Sequence, residues 1–344
     1  MRTLVWTGPN TMVMEEAARP VAGPDEVLVK VDVVGICGSE IEGFLGHNSL
    51  RTPPLVMGHE FCGHIVEIGP NVDKFSIGQK AIINPLIACG ECDRCLKGTE
   101  NLCDSRQILG IHRPGAFADY VAVPATSVYV IKDELSSYSA ALAEPLACTV
   151  RGVRRAIASH PFSNVLIYGA GAIGLLSGFV AQTLGANKVI MADINDERLE
   201  TVKNSGIDYV INSKTTDVEA EIKRITGNKG VDIIIDAAGF LPTRSQAMKI
   251  VNSGGIILNI GLGINETPLP INDQIRSEIT IMGTFSYTKQ DFKDAIQLLE
   301  EGKITHEGWS EVRPLEAGQD AFTELVNGQV VNSKIFLDLK EVSK

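Results

Sequence analysis

Four cysteines fall within one short stretch, "ACGECDRCLKGTENLCDS", as Cys89, Cys92, Cys95 and Cys103. Their spacing supplies four soft thiolates from one loop. Four thiolates complete a tetrahedral zinc shell and leave no open position, so such a site clamps its loop and binds no substrate. A nucleic-acid zinc ribbon is the rival reading. The net charge of −11 counts against it, because a nucleic-acid binder carries a basic face. The chain has seven cysteines, an odd number, and in a reducing compartment this clustering favours metal over disulfides.

A second set of ligand types is scattered. "GICGSE" holds Cys37 and Ser39, "VMGHEFCGH" holds His59 and Glu60, and "LAEPLAC" holds Glu144. Cysteine, histidine and carboxylate suit zinc, and three protein ligands plus water make a catalytic site. Taken singly, each has a plainer reading. Cys37 fits a small core residue, His59 a satisfied turn residue and Glu144 a capping group before Pro145.

"VLIYGAGAIG" places Gly169, Gly171 and Gly174 in the G-x-G-x-x-G spacing, after an apolar strand and at the head of a helix. The first glycine permits the tight turn and the second lets backbone approach a pyrophosphate. The third allows close helix–strand packing, with Ala172 and Ile173 opening the helix toward the phosphates. Asp193 closes the next strand in "VIMADI". An acid there accepts from an adenosine ribose and repels a 2′-phosphate, which favours NAD over NADP. Arg198 either stacks on adenine or is a solvated helix residue.

The elements that must position these groups follow from texture. The 344 residues, 44% hydrophobic, suit two domains. Residues 1–150 read as short strands punctuated by Gly and Pro. Residues 151–285 alternate strand and helix, the pattern of a doubly wound α/β parallel sheet. Residues 286–344 add a helix and a strand-like "SKIFLDL" that return to the first domain. No apolar run reaches membrane-spanning length, "MRTLVWTGPNTMVMEE" has no long apolar h-region or small-residue cleavage site, and an acidic membrane surface would repel an acidic chain. The expected location is cytoplasmic.

In one order the chain carries "GICGSE", "GHEFCGHIVEIGPNV", "CGECDRCLKGTENLC", "GAFADY", "EPLAC" and "GAGAIG". This succession resembles the zinc-dependent medium-chain dehydrogenases over nearly the whole chain, most closely the polyol (sorbitol-type) branch with its sugar-alcohol-phosphate and L-threonine members. The resemblance implies a GroES-like β-rich catalytic domain, a Rossmann domain and a substrate cleft between them. It implies two zinc ions per subunit and NAD. Cys37 and His59 would bind the catalytic zinc. Glu60 and Glu144 fall where the branch has glutamates that exchange as ligand or water contact. Cys89, Cys92, Cys95 and Cys103 match the structural zinc site, and Ser39 would relay the hydroxyl proton. It further implies a homodimer or homotetramer joined through the apolar last strands, "GGIILNIGLG" and "EITIMGTF", whose exposed edge is a liability in a monomer.

The chain also departs from the pattern. "CGSD" is "CGSE" here, a relay histidine is replaced by Glu42 with His47 nearby, and "F-R-Y" is "TFSY" with Ser286 and Tyr287. The missing arginine argues against sorbitol itself. The expected substrate is another polyol, or a polyol phosphate met by Arg51 or Arg113, in a cleft that Phe117 and Tyr287 would line. L-threonine or diol oxidation is the alternative within the chemistry. A zinc- and NAD-binding redox sensor without turnover is the alternative outside it.

Overall fold

The computed structural model describes residues 1–340; residues 341–344, in the segment expected to return to the first domain, lie outside the described residues. The first lobe is built on a seven-stranded sheet. Its order is Val128–Val130, Lys80–Ile83, Glu60–Ile68, Glu26–Gly35, Lys334–Asp338 and Ser310–Pro314, with Tyr120–Pro124 also pairing with Glu26–Gly35. The central strand "EVLVKVDVVG" is β-branched and almost wholly buried, which is what a strand covered on both faces demands. A three-stranded sheet of Thr11–Glu16, Arg2–Gly8 and Leu55–Val56 closes one side.

The second lobe is a six-stranded parallel sheet, ordered Tyr209–Asn212, Lys188–Asp193, Asn164–Tyr168, Val231–Asp236, Val251–Asn259 and Thr280–Gly283. Strand order reverses between Asn164–Tyr168 and Val231–Asp236, and the crevice at such a switch point is where doubly wound sheets bind ligands. The fold class is therefore the expected one, a β-rich lobe joined to a doubly wound sheet. Local chemistry sets the helix ends. Asp217 caps Val218–Thr226 by accepting from the Glu219 and Ala220 N–H groups, and Gly227 ends it at φ 61°. Thr288 and Asp291 form a capping box at the head of Lys289–Glu300.

The helix Ala143–Ile157 joins the lobes and packs on both Ala172–Thr183 and Lys289–Glu300. Pro145 lies in its first turn, where a missing N–H costs nothing. The largest apolar core crosses the junction, running from Val33, Cys62 and Ile82 to Val165, Ile167 and Phe292. Among the described residues no helix is long and apolar enough to cross a membrane.

Candidate active site and metal centres

Cys37 follows the central strand and caps the helix Gly38–Phe44. His59 precedes the strand Glu60–Ile68, and the antiparallel register sets Gly35 opposite Glu60. That pairing brings two sequence stretches into one site. The ligand atoms of Cys37, His59 and Glu60 all lie within 4.8 Å of one another.

Glu40 holds the two stretches together, and it is fully buried. Its Oε2 accepts from the Cys37 N–H at 3.0 Å, and its Oε1 accepts from the Gly58 N–H at 2.8 Å. The same Oε1 is 2.7 Å from His59 Nδ1. A carboxylate on one imidazole nitrogen fixes the ring and leaves Nε2 for a metal. Burial works against charge on both partners. Even so, Glu40 and Cys37 hold His59 well above the usual histidine range, and His59 and Arg51 hold Glu40 below the usual carboxylate range.

Glu60 pairs with Lys334, whose ammonium also donates to the Ile36 carbonyl at 2.9 Å. Gly35 makes room for this pair, since a Cβ there would sit 2.6 Å from both Glu60 Oε2 and Lys334 Cε. Glu144 is half-buried in the first turn of its helix, outside the three-ligand group. Burial, with Glu60 nearby, pushes its carboxyl up to about 7. The Tyr287 hydroxyl faces Glu144 yet makes no hydrogen bond, leaving a fully buried unpaired donor. Cys148 Sγ lies 4.0 Å from Glu144 Oε1.

The four clustered cysteines form the second centre. Sulfur–sulfur separations are 3.5 Å for Cys92–Cys95 and Cys89–Cys103 and 3.8 Å for Cys89–Cys95. These are far too long for disulfides. They match the edge of a tetrahedron with zinc–sulfur bonds of about 2.3 Å, which is about 3.8 Å. The N–H groups of Glu91 and Cys92 lower the Cys89 thiol to about 6, whereas desolvation and the neighbouring thiols push Cys95 up to about 12, so the four do not ionise alike without a cation among them.

At the glycine turn, Gly169 adopts φ 102°, a conformation that excludes side chains. A Cβ on Gly171 would meet nothing within 4 Å, so the turn has open space on the face where a phosphate must approach. Gly171 caps the helix that Ala172, Ile173 and Gly174 begin. Asp193 Oδ2 accepts from the Ala170 N–H at 2.7 Å, which ties the acid to the turn, and Oδ1 accepts from the Ile194 and Asn195 N–H groups. Arg198 does not lie free on the surface. Its guanidinium donates to the Val330 carbonyl at 3.1 Å, and its Nε is buried and unpaired.

Two family models match this chain, an alcohol dehydrogenase GroES-like domain over residues 23–133 and a zinc-binding dehydrogenase over residues 172–301. An L-galactonate-5-dehydrogenase of Escherichia coli (strain K12) is 32% identical, covering 89% of each chain. A D-arabitol-phosphate dehydrogenase of Enterococcus avium is 33% identical, covering 95% of this chain and 94% of its own. The chain belongs to the zinc-dependent medium-chain dehydrogenases, in their polyol branch. A short chain alcohol dehydrogenase from E. coli CFT073, solved with NADH, superposes with a TM-score of 0.90 at 29% identity, covering 98% of this chain and 99% of that one. This dehydrogenase is an NAD-dependent zinc enzyme.

Other expected site residues of the dehydrogenase find different settings. Ser39 Oγ donates to Cys37 Sγ at 3.5 Å and accepts from Arg51 at 3.3 Å. Arg51 is buried, donates also to the Ser39 carbonyl at 2.9 Å, and is held below its usual range by burial. Arg113 is paired with Glu26. Both arginines thus have internal partners, and a phosphate would have to displace them. Phe117 is fully buried, edge-on to Phe322 at 5.9 Å. Glu42 and His47 pair at 3.4 Å on the surface. The sequence marks Glu40 only as the departure in "CGSE", with no role assigned, and Lys334 does not stand out in it. Glu40 could have been found as the acid of a capping box three residues after Cys37, whereas a lysine opening an apolar strand reads as an edge device.

Proposed function

We propose that this dehydrogenase oxidises a secondary alcohol of a polyol, or of a polyol phosphate, reversibly to a ketose. The observation that carries the reading is the Cys37–His59–Glu60 group with the unpaired Tyr287 hydroxyl close by at Glu144. A hydroxyl held at the metal, with a buried donor beside it, suits a substrate with neighbouring hydroxyls. The relatives' names, for L-galactonate and D-arabitol phosphate, point to polyhydroxylated molecules too. Because Arg51 and Arg113 are engaged internally, the free polyol is the favoured form.

Cys37, His59 and Glu60, with Glu144 in reserve, would hold one zinc, and Cys89, Cys92, Cys95 and Cys103 a second. When bound, the catalytic zinc supplies Lewis acidity and NAD the hydride acceptor. The chain's own groups do the rest. Glu40 fixes the His59 ring. Ser39 holds the departing hydroxyl proton at Oγ, with Arg51 orienting it. Tyr287 donates to a second substrate hydroxyl. Gly169, Gly171 and Gly174 seat the pyrophosphate, and Asp193 stands at the adenosine ribose. We infer a cytoplasmic location, where the cysteines stay reduced, and assembly as a dimer or tetramer.

The test is NADH formation at alkaline pH with pentitols, hexitols, their phosphates, a simple diol and L-threonine. A polyol should give the highest kcat/KM. A win for threonine or the diol over every polyol overturns the polyol reading and leaves the zinc- and NAD-dependent chemistry.

A further inference from the structure

The end of the four-cysteine loop grips a segment far away in sequence. Asn101, 1% exposed, donates from Nδ2 to the Phe285 carbonyl at 2.8 Å. Glu100, also buried, accepts from the Lys289 N–H at the head of the helix Lys289–Glu300. Arg106 lies over the Phe285 ring at 5.0 Å and is itself tied back to the Cys103 carbonyl at 2.9 Å. Residues 285–289 are therefore held at both ends by residues 100–106. Between the two ends lie Ser286, in the left-handed region at φ 51°, and Tyr287, whose buried hydroxyl faces Glu144. A non-glycine residue keeps such a φ only where its surroundings over-determine it.

We propose that Asn101 and Glu100 are positioning residues of the substrate pocket, through which the four-cysteine loop sets the Tyr287 hydroxyl against the reaction centre. The inference rests on the reading of Cys37, His59 and Glu60 as that centre. The four-cysteine centre then does more than stabilise a loop. Its geometry is carried through two hydrogen bonds to the pocket wall, and that grip holds Ser286 in the left-handed region from which a freed segment would relax. Glu100 acts at the amide end and Asn101 at the carbonyl end, so losing either frees one side of the grip.

The test compares Asn101→Ala, Asn101→Asp and Glu100→Gln with wild type. Asn101→Asp keeps the shape and loses the donor. Glu100→Gln keeps an acceptor for the Lys289 N–H and should match wild type. Zinc content, hydrogen exchange and the two Michaelis constants are read. Zinc content should stay at the wild-type value. Hydrogen exchange of the 284–292 segment should quicken at least tenfold in both Asn101 variants. The KM for the polyol turned over fastest in the panel above should rise about tenfold or more, because small misplacements at a reacting centre are costly, while the KM for NAD stays within about twofold. Unchanged exchange and an unchanged polyol KM, with only a lowered melting temperature, overturn the proposal. Should Asn101→Ala fail to fold, Arg106→Ala loosens the same grip from a half-exposed position and is read by the same exchange. Cys37→Ser separates the two readings. An active Cys37→Ser enzyme sinks the reaction centre itself, whereas an inactive one beside silent Asn101 variants sinks this inference alone.

Discussion

Lys334 and Glu60 form an ion pair whose side chains are only 2% and 1% exposed, and they meet from opposite ends of the chain. Burial opposes the charge on Lys334, but Glu60 and Cys37 together hold it above the usual lysine range. Removing one partner of such a pair leaves a buried charge unmatched, at about 3–5 kcal/mol. With the zinc that would share Glu60 first removed from both proteins, Lys334→Met should therefore destabilise by about that amount in urea unfolding, and Lys334→Arg by far less. Equal stability of Lys334→Met and wild type would show that the pair is not formed in solution.

Metal content separates the two centres. Wild type should carry two zinc ions per chain by elemental analysis. Cys37→Ser should lose one zinc and all turnover while keeping its fold. Cys95→Ser should lose stability or solubility instead, because a closed site contributes directly to folding. A carefully prepared wild type with one zinc or none would refute the two-centre reading.

Glu40 offers a sharper probe of the same centre, since it touches His59 and no expected metal ligand atom other than through that ring and the Cys37 amide. Loss of such a partner typically costs about 10–100-fold in metal affinity. Glu40→Gln should accordingly release one zinc to a chelator at that much lower concentration, with the second zinc unaffected. Identical chelator titrations for variant and wild type would remove Glu40 from the site.

Asp193 should set cofactor choice. Its carboxylate also accepts the Ala170 amide, so Asp193→Ala loosens the glycine turn and weakens both cofactors. Asp193→Ala combined with Ile194→Arg, at an exposed position, should shift the kcat/KM ratio from NAD toward NADP. If wild type uses NADP as well as NAD, the acid does not stand at the ribose.

The sheet edge Thr280–Gly283 and the exposed apolar Leu262, Ile271 and Ile275 predict self-association. Light scattering at micromolar concentration should give at least twice the chain mass of 37.0 kDa. A monomer mass would contradict it.

The parts of this molecule legible in its sequence are those whose chemistry is local. The cysteine spacing and the glycine turn each lie within one loop, so composition and order reveal them. The doubly wound sheet shows through its period. The groups that complete the site lie far off along the chain. Lys334 reaches Glu60 across 274 positions, and Asn101 reaches Phe285 across 184. No periodicity records such meetings, because the sheet register and the return of the last strands create them. Arg51 and Arg113 stand out in sequence as free cations, since their partners, Ser39 and Glu26, become visible only when the chain is folded.

Ser333 and Lys334 are neighbours, yet they reach into different lobes. Ser333 Oγ donates to the Ala170 carbonyl inside the glycine turn at 2.8 Å, while Lys334 holds Glu60. One peptide unit thus latches the cofactor-side crevice to the metal-side sheet. Any separation of the two lobes at this point would have to break the serine bond or draw the lysine from its carboxylate. The turn that faces the cofactor and the carboxylate at the metal site are in this way anchored by adjacent residues.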